Sequence, residues 1–313
     1  MAGVYRASRQ WERIIRQWVT EEAAVDLTHF KSERPNHKMS LWDPEVNGVR
    51  YLKTLVHNLA TTLDPDDWAR LRRTGRREVG DPVAVRWHGM QVCLDYLQAT
   101  LEVGFIERSV DLRAARVLEI GAGYGRTCHT LLSNHDVAAY CIVDLRSTMR
   151  FSRGYLRAVL DDVQFAKLRF VPVEDMDVGH ALSGIDFDLG ININSFAEMT
   201  PDTVRCYLDL IDRRCAALYV KNPVGKYQDR SLDGHVEGDE ARWRAMETGP
   251  LRQVLDIHDD QAVRAAVPGF LAAYRPSADW SEVADAWAVP WSFYWQAFYR
   301  RKRPGAAADR PDD

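Results

Sequence analysis

The chain has 313 residues, of which 46% are hydrophobic and 10% aromatic, and a formal charge of -4 at pH 7. That is the composition of an ordinary globular protein, and it is longer than one doubly wound domain needs, so a core domain with an added lobe is expected. The charge leaves no electrostatic footprint for nucleic acid, no apolar run nears the roughly 20 residues of a membrane span, and the start Met1-Ala-Gly-Val-Tyr-Arg lacks the apolar core of a signal peptide; a cytoplasmic protein is expected. Five cysteines, at 93, 128, 141, 206 and 215, are odd in number and show no Cys-x-x-Cys pair. This argues against a disulfide framework and a zinc site, and Cys128 and Cys141 are expected to pack as small hydrophobes.

Residues 1–115 carry no alternating strand pattern and read as a lobe of helices joined by polar loops. Trp11, Ile14, Ile15, Trp18 and Val19 recur at three- and four-residue intervals, one apolar stripe on a helix. A loop is expected from Lys31 through Trp42-Asp-Pro44, and a short helix from Asp64-Pro65, with aspartate as cap and proline just inside. The basic run from Arg70 to Arg77 reads as a solvated helix end. After the break at Gly80-Asp-Pro82, a helix from about Arg86 to Ile106 is expected, with Leu94, Leu97, Leu101 and Phe105 on its apolar face and His88 near its start.

From residue 116 the order strand, helix, strand, helix repeats, which implies a parallel sheet covered on both faces. Strands are expected near 116–120, 138–143, 168–173, 186–192 and 216–221, and helices near 125–134, 147–160 and 201–212. A Gly- and charge-rich stretch follows Asn222-Pro223 through Glu240, long enough to be a lid or binding segment. Ser292-Phe-Tyr-Trp-Gln-Ala-Phe-Tyr299 reads as a final strand, and the end of the chain, 304–313, has the composition of a disordered tail.

The stretch Arg116-Val-Leu-Glu-Ile-Gly-Ala-Gly-Tyr-Gly-Arg-Thr127 carries the most information. An apolar strand runs straight into glycines at 121, 123 and 125, a spacing of one, three and five. A dinucleotide fingerprint would place the third glycine at the sixth position, where this chain has Arg126. Beyond the turn, Ala138-Ala-Tyr-Cys-Ile-Val-Asp144 is a second apolar run ending in a carboxylate, about 20 residues on, where a ribose-binding acid belongs. Leu168-Arg-Phe-Val-Pro-Val-Glu-Asp175 closes a third strand with two acids. The fourth, Phe187-Asp-Leu-Gly-Ile-Asn-Ile-Asn-Ser-Phe-Ala-Glu-Met199, ends in polar groups.

This pattern resembles motif I of class I S-adenosylmethionine-dependent methyltransferases. The segment Ile191-Asn-Ile-Asn-Ser-Phe-Ala-Glu-Met199, followed by a helix and Ala217-Leu-Tyr-Val-Lys-Asn-Pro223, is similar to a family of sugar O-methyltransferases from surface-glycan and antibiotic gene clusters, over roughly residues 80 to 300. The resemblance implies a Rossmann-like, mostly parallel seven-stranded sheet over 116–303, with the helical lobe 1–115 capping the acceptor or forming homodimer contacts. It implies S-adenosyl-L-methionine as cofactor, with S-adenosylhomocysteine as product. Glu119 would help to hold the ammonium end of the methionine moiety, with Gly121, Ala122, Gly123 and Gly125 at the turn. Asp144, beside Leu145, would take the ribose hydroxyls, and Asp175 or Glu174 the adenine amino group. Asn192, Asn194 and Asn222 would orient hydroxyls or the methionine carboxylate.

A sugar hydroxyl must give up its proton before it attacks, so a general base or a metal is expected beside it. His235, in the long segment, and Glu198, after the fourth strand, are the candidate bases. His88 is a further candidate at the acceptor, and Lys226 and Tyr227 line its pocket. His129 is expected to pack. Asp186 and Asp188 flank a strand instead of converging on an ion, so metal-independent transfer is expected. The acceptor is a small molecule, a sugar or glycosylated natural product. The alternatives are a phenol or peptide carboxylate as acceptor, a non-catalytic partner protein that binds the cofactor, or an oxidoreductase using a nicotinamide cofactor.

Overall fold

The computed structural model describes residues 5–17, 26–32, 48–174, 178–233 and 239–302. Asp175, His235, Trp18, Val19, nearly all of the expected loop after Lys31 and the tail at 304–313 lie outside the described residues. In chain order the N-terminal part contains α1 (Arg9–Gln17), α2 (Val49–Ala60), α3 (Pro65–Arg73), the strands β1 (Ala84–Trp87) and β2 (Met90–Cys93), and α4 (Leu94–Glu107). The sheet domain follows with β3 (Arg116–Ile120), α5 (Arg126–Asn134), β4 (Ala139–Asp144), α6 (Arg146–Val159), α7 (Asp162–Ala166), β5 (Leu168–Pro172), α8 (Val178–Ala181) and β6 (Leu189–Ile193). A 3-10 turn at Ser195–Glu198 leads to α9 (Pro201–Arg214), β7 (Ala217–Pro223), α10 (Arg230–Asp233), α11 (Asp239–Glu247), α12 (Asp260–Ala273), β8 (Trp280–Trp287) and β9 (Tyr294–Arg301).

The seven-stranded sheet has the order β5-β4-β3-β6-β7-β9-β8. Strands β5 to β7 pair in parallel, and β9 runs antiparallel between β7 and β8. This is the expected Rossmann-like, mostly parallel seven-stranded sheet, and its order reverses between β3 and β6, where an open α/β sheet places its ligand crevice. Glycine 190 lets β6 lie close to its neighbours: a Cβ there would stand 3.3 Å from Cys215 Sγ. No described helix is long and apolar enough to cross a membrane.

Two N-terminal expectations are corrected. Residues 84–93 form the antiparallel hairpin β1–β2, not the start of a helix. The apolar positions Val85, Trp87, Met90 and Val92 pack on α2 and α3 as strand residues, and the turn at His88-Gly89 takes positive φ at both residues, which a hairpin requires and a helix forbids. Arg70 is not solvated either. It is buried, donating to Asp67 at 2.6 Å and also to Glu107. The Asp64 cap forms as expected, as a reciprocal capping box with Asp67.

Helix α4 is buried on nearly every side because it serves two cores. Leu94 and Leu97 pack with α2 and the hairpin, whereas Val103, Phe105 and Ile106 pack under the sheet. A second link is the segment 26–32. Phe30 meets the rings of Tyr124, Phe151 and Tyr155 edge-on, and the buried Lys31 ammonium donates to Tyr155 Oη at 2.9 Å. Rings of Phe30, Tyr96, Tyr124 and Tyr155 surround that ammonium at 4.6–5.3 Å. Tyr124 belongs to the glycine turn, so this part of the N-terminal region grips the turn from below.

Candidate functional site

The glycine turn is shaped by its neighbours. Gly121 has φ +74°, and a Cβ there would stand 2.2 Å from Ser195 Oγ, so only glycine fits. Ser195 Oγ and Asn192 Nδ2 both donate to Ile120 O at 3.0 Å, tying the end of β3 to the end of β6. Gly123, with φ +59°, faces open space: nothing lies within 4 Å of its Cβ position. Its N–H donates to Asp144 Oδ2 at 3.2 Å, and the Leu145 N–H donates to Oδ1 at 2.7 Å. Desolvation outweighs these bonds and pushes the Asp144 carboxyl up to about 7. Beside it, at the start of α6, Ser147 Oγ and Thr148 Oγ1 are buried without a hydrogen-bond partner.

Glu119 lies on the adjacent strand, 2% exposed. It accepts from Tyr140 Oη at 2.7 Å, and burial pushes its carboxyl up to about 7. Glu174 is exposed and accepts the Arg146 N–H on both oxygens, at 3.1 and 2.9 Å. It therefore caps α6. Arg126, at the position where a dinucleotide site would have glycine, forms a two-pronged bond to Glu102 at 2.7 and 2.9 Å. Lys221 on β7 donates to the same carboxylate at 2.8 Å and to Gln98 Oε1 at 2.8 Å. This buried triad joins α4, α5 and β7 beneath the strand ends.

The polar residues of β6 and β7 divide into scaffold and open groups. Asn222 Nδ2 donates to Asn192 Oδ1 at 3.0 Å, and Asn222 Oδ1 accepts the Ala197 N–H at 3.3 Å. Both side chains are fully buried, and through these bonds Asn192 and Asn222 hold the loops together. Asn194 differs. It has φ +66°, and its Oδ1 is buried without a partner. Glu198 Oε2 accepts from Trp11 Nε1 at 2.7 Å, which brings α1 over the ends of β6 and β7. Tyr227 packs edge-on against Phe293 nearby.

The remaining expectations fall elsewhere. His88 is exposed on the hairpin turn against Trp68 and Trp87. His129 packs as expected, bonded through Nδ1 to Tyr96 Oη, and burial with the nearby Lys31 cation lowers its pKa to about 3. Cys128 and Cys141 are buried free thiols. Asp188 accepts the Arg116 N–H at 2.8 Å, and Asp186 faces Arg214 at 3.6 Å; the two do not converge. Sequence reasoning missed Trp11 and the triad of Glu102, Arg126 and Lys221. Lys221 directly follows the apolar run Ala217-Leu-Tyr-Val within a strand, and a charge in such a place is itself a signal of pairing.

No family model matches the chain, and no curated protein matches its sequence. Solved structures resemble it at low identity. The methyltransferase domain of bacterial CtHen1 is 13% identical over 66% of this chain and 100% of its own, with a TM-score of 0.48. The O-methyltransferase TomG from Streptomyces achromogenes, involved in tomaymycin synthesis and solved in complex with SAM, is 13% identical over 82% and 99%, at 0.44. An O-methyltransferase family protein from Burkholderia thailandensis is 13% identical over 76% and 69%, at 0.41. At these scores the likenesses decide nothing about substrate.

Proposed function

We propose that this chain is an S-adenosylmethionine-dependent O-methyltransferase acting on a hydroxyl of a sugar or sugar-containing small molecule. The observation that carries the donor half is the open space over Gly123, rimmed by the Asp144 carboxylate at the point where strand order reverses. A ligand there can approach the backbone closely and offer its ribose hydroxyls to Asp144. The unpartnered Ser147 and Thr148 hydroxyls stand ready for its polar edge. Glu119, two residues before the first glycine of the turn, supplies negative charge for an ammonium group.

When bound, the cofactor supplies a methyl group on a cationic sulfur, open to in-line attack by an oxygen. The protein's part is to hold the acceptor and take its proton. Glu198 suits that role: the Trp11 indole fixes one carboxylate oxygen, and the other is free to accept from a hydroxyl. His235 stays a second candidate. The helix α1, reaching Glu198 through Trp11, would cap the acceptor and exclude water.

Calorimetry with S-adenosylhomocysteine, followed by transfer from methyl-labelled cofactor to a panel of sugars, aminocyclitols, phenols and peptides, tests this reading. Binding of the product cofactor and label on a sugar hydroxyl are expected. Binding of a nicotinamide dinucleotide, with none of S-adenosylhomocysteine, would overturn it.

A further inference from the structure

The described residues contain five buried cations, Lys31, Arg70, Arg126, Lys221 and Lys226, and burial of a charge is tolerated only with compensation. Arg70 has Asp67 and Glu107. Arg126 and Lys221 share Glu102. Lys31 has its four rings and a tyrosine hydroxyl. Lys226 is the exception: 7% exposed, its Nζ reaches only Ala197 O and Thr248 Oγ1, both at 3.5 Å. That is the outer limit of a hydrogen bond. Among the described residues no carboxylate forms an ion pair with it: the charge of Glu198 acts on Lys226 without a direct contact, and Glu198 Oε2 accepts from Trp11 Nε1.

The position is built, not incidental. The Lys226 N–H donates to Gln253 O at 2.8 Å, and the Leu255 N–H donates to Lys226 O at 2.9 Å, so the backbone is pinned on both sides. Next to it, Gly225 leaves no room for a side chain: a Cβ would stand 2.3 Å from Leu255 Cδ2 and 2.7 Å from Gln253 O. The turn whose Ala197 carbonyl Lys226 reaches begins at Asn194, whose buried Oδ1 lacks a donor. A cation without an anion and an acceptor without a donor therefore flank one turn at the carboxyl edge of the sheet.

We propose that Lys226 is the anion anchor of the acceptor site, and that the acceptor is a hydroxylated molecule carrying a carboxylate or phosphate, such as an acidic or phosphorylated sugar. The substrate class rests on the methyltransferase reading above; the anion site does not. The anionic group takes the place of the missing counter-ion, and a hydroxyl of the same molecule donates to Asn194 Oδ1. Glu198, held by Trp11 through one carboxylate oxygen, receives on the other the proton of the hydroxyl that attacks.

Calorimetry on the full chain saturated with S-adenosylhomocysteine tests this, with glucuronate, glucose 1-phosphate, inorganic phosphate and neutral glucose as probes. At least one anionic sugar is expected to bind tenfold or more tightly than glucose, and its identity separates carboxylate from phosphate. That preference should vanish in Lys226→Met and persist in Lys226→Arg. Burial lowers the Lys226 pKa to about 8, so with Glu198 and Arg252 as the charged groups facing it, the preference should fade as pH rises through 8. Thermal melting guards against misfolding: without ligand, Lys226→Met should melt no lower than wild type, because it removes an unpaired buried charge. Glucose binding as tightly as every anionic probe, anion preference surviving in Lys226→Met, or a variant that melts far lower would each overturn the proposal. Wild type that binds S-adenosylhomocysteine but no anionic probe sinks the anchor and spares the donor reading; the reverse result sinks the donor reading and spares the anchor.

Discussion

The two ends of the crevice are built on different principles. At the β3–β4 end, the groups that shape the site are close in sequence: the glycine turn, Asp144 and the start of α6 span residues 121–148, and backbone N–H groups do much of the bonding. At the β6–β7 end, Glu198 meets Trp11 from 187 positions away and Lys226 meets Thr248 from 22 positions away. The first end is local and backbone-defined; the second is assembled from distant side chains. Substitutions at the first should therefore change cofactor affinity, and those at the second should leave it intact.

Beneath both ends lies the triad, and breaking it should have the largest effect. Glu102→Ala leaves two cations buried without a counter-ion, a loss of about 3–5 kcal/mol in a urea titration. Loss of less than 1 kcal/mol would mean that water reaches the pair. Next come the two glycines, which sharpen the contrast within the first end. Gly121→Ala forces a Cβ into Ser195 at positive φ and should cost stability by about 1–3 kcal/mol. Gly123→Ala meets open space, so it should melt closer to wild type yet lose S-adenosylhomocysteine affinity. Equal melting temperatures for the two would contradict the geometry. Asp144→Asn should weaken that affinity by about 10- to 100-fold, the value of a charge-assisted hydrogen bond of ~1.5–3 kcal/mol.

Trp11→Phe removes the donor that fixes Glu198. Transfer should fall by about tenfold, equivalent to ~1.4 kcal/mol, with S-adenosylhomocysteine affinity unchanged; a matching loss of affinity would join the two ends into one. A further contrast is a pH dependence of opposite sign in two measurements. Glu119 and Asp144 have raised carboxyl pKa values, about 7 each. Their contribution to stability is full below the unfolded values near 4.5 and 3.8 and is lost as pH rises through about 7. Affinity for a ligand that needs them ionised should instead rise over the same range.

The same division explains what the sequence could reveal. The strand-to-glycine turn and the carboxylate closing β4 carry their chemistry in adjacent residues, and the parallel strands β3 to β7 appear within a few positions of where their apolar runs place them. The hairpin at 84–93 was hidden because its apolar residues continue without a break into those of α4, and a short apolar run has no period that separates strand from helix. Strand β8 was hidden by the polar residues Ser281, Glu282 and Asp285 along it, which break its apolar run. For Asn192 and Asn222, residue type shows polarity but not the bonds it makes, which here run to each other and to the Ile120 and Ala197 backbone. Nothing in the residues around Glu198 points to a tryptophan at position 11.

The grip of Phe30 and Lys31 on Tyr124 has a consequence for the order of assembly. The glycine turn is written in a few consecutive residues, yet its underside is completed by a segment some ninety positions upstream, together with α4 and α6. Closing so long a loop is entropically slow relative to forming the turn itself. In a refolding time course, the capacity to bind S-adenosylhomocysteine should thus appear with the docking of residues 26–32, after the sheet has formed, so that the cofactor loop matures among the last parts of the molecule.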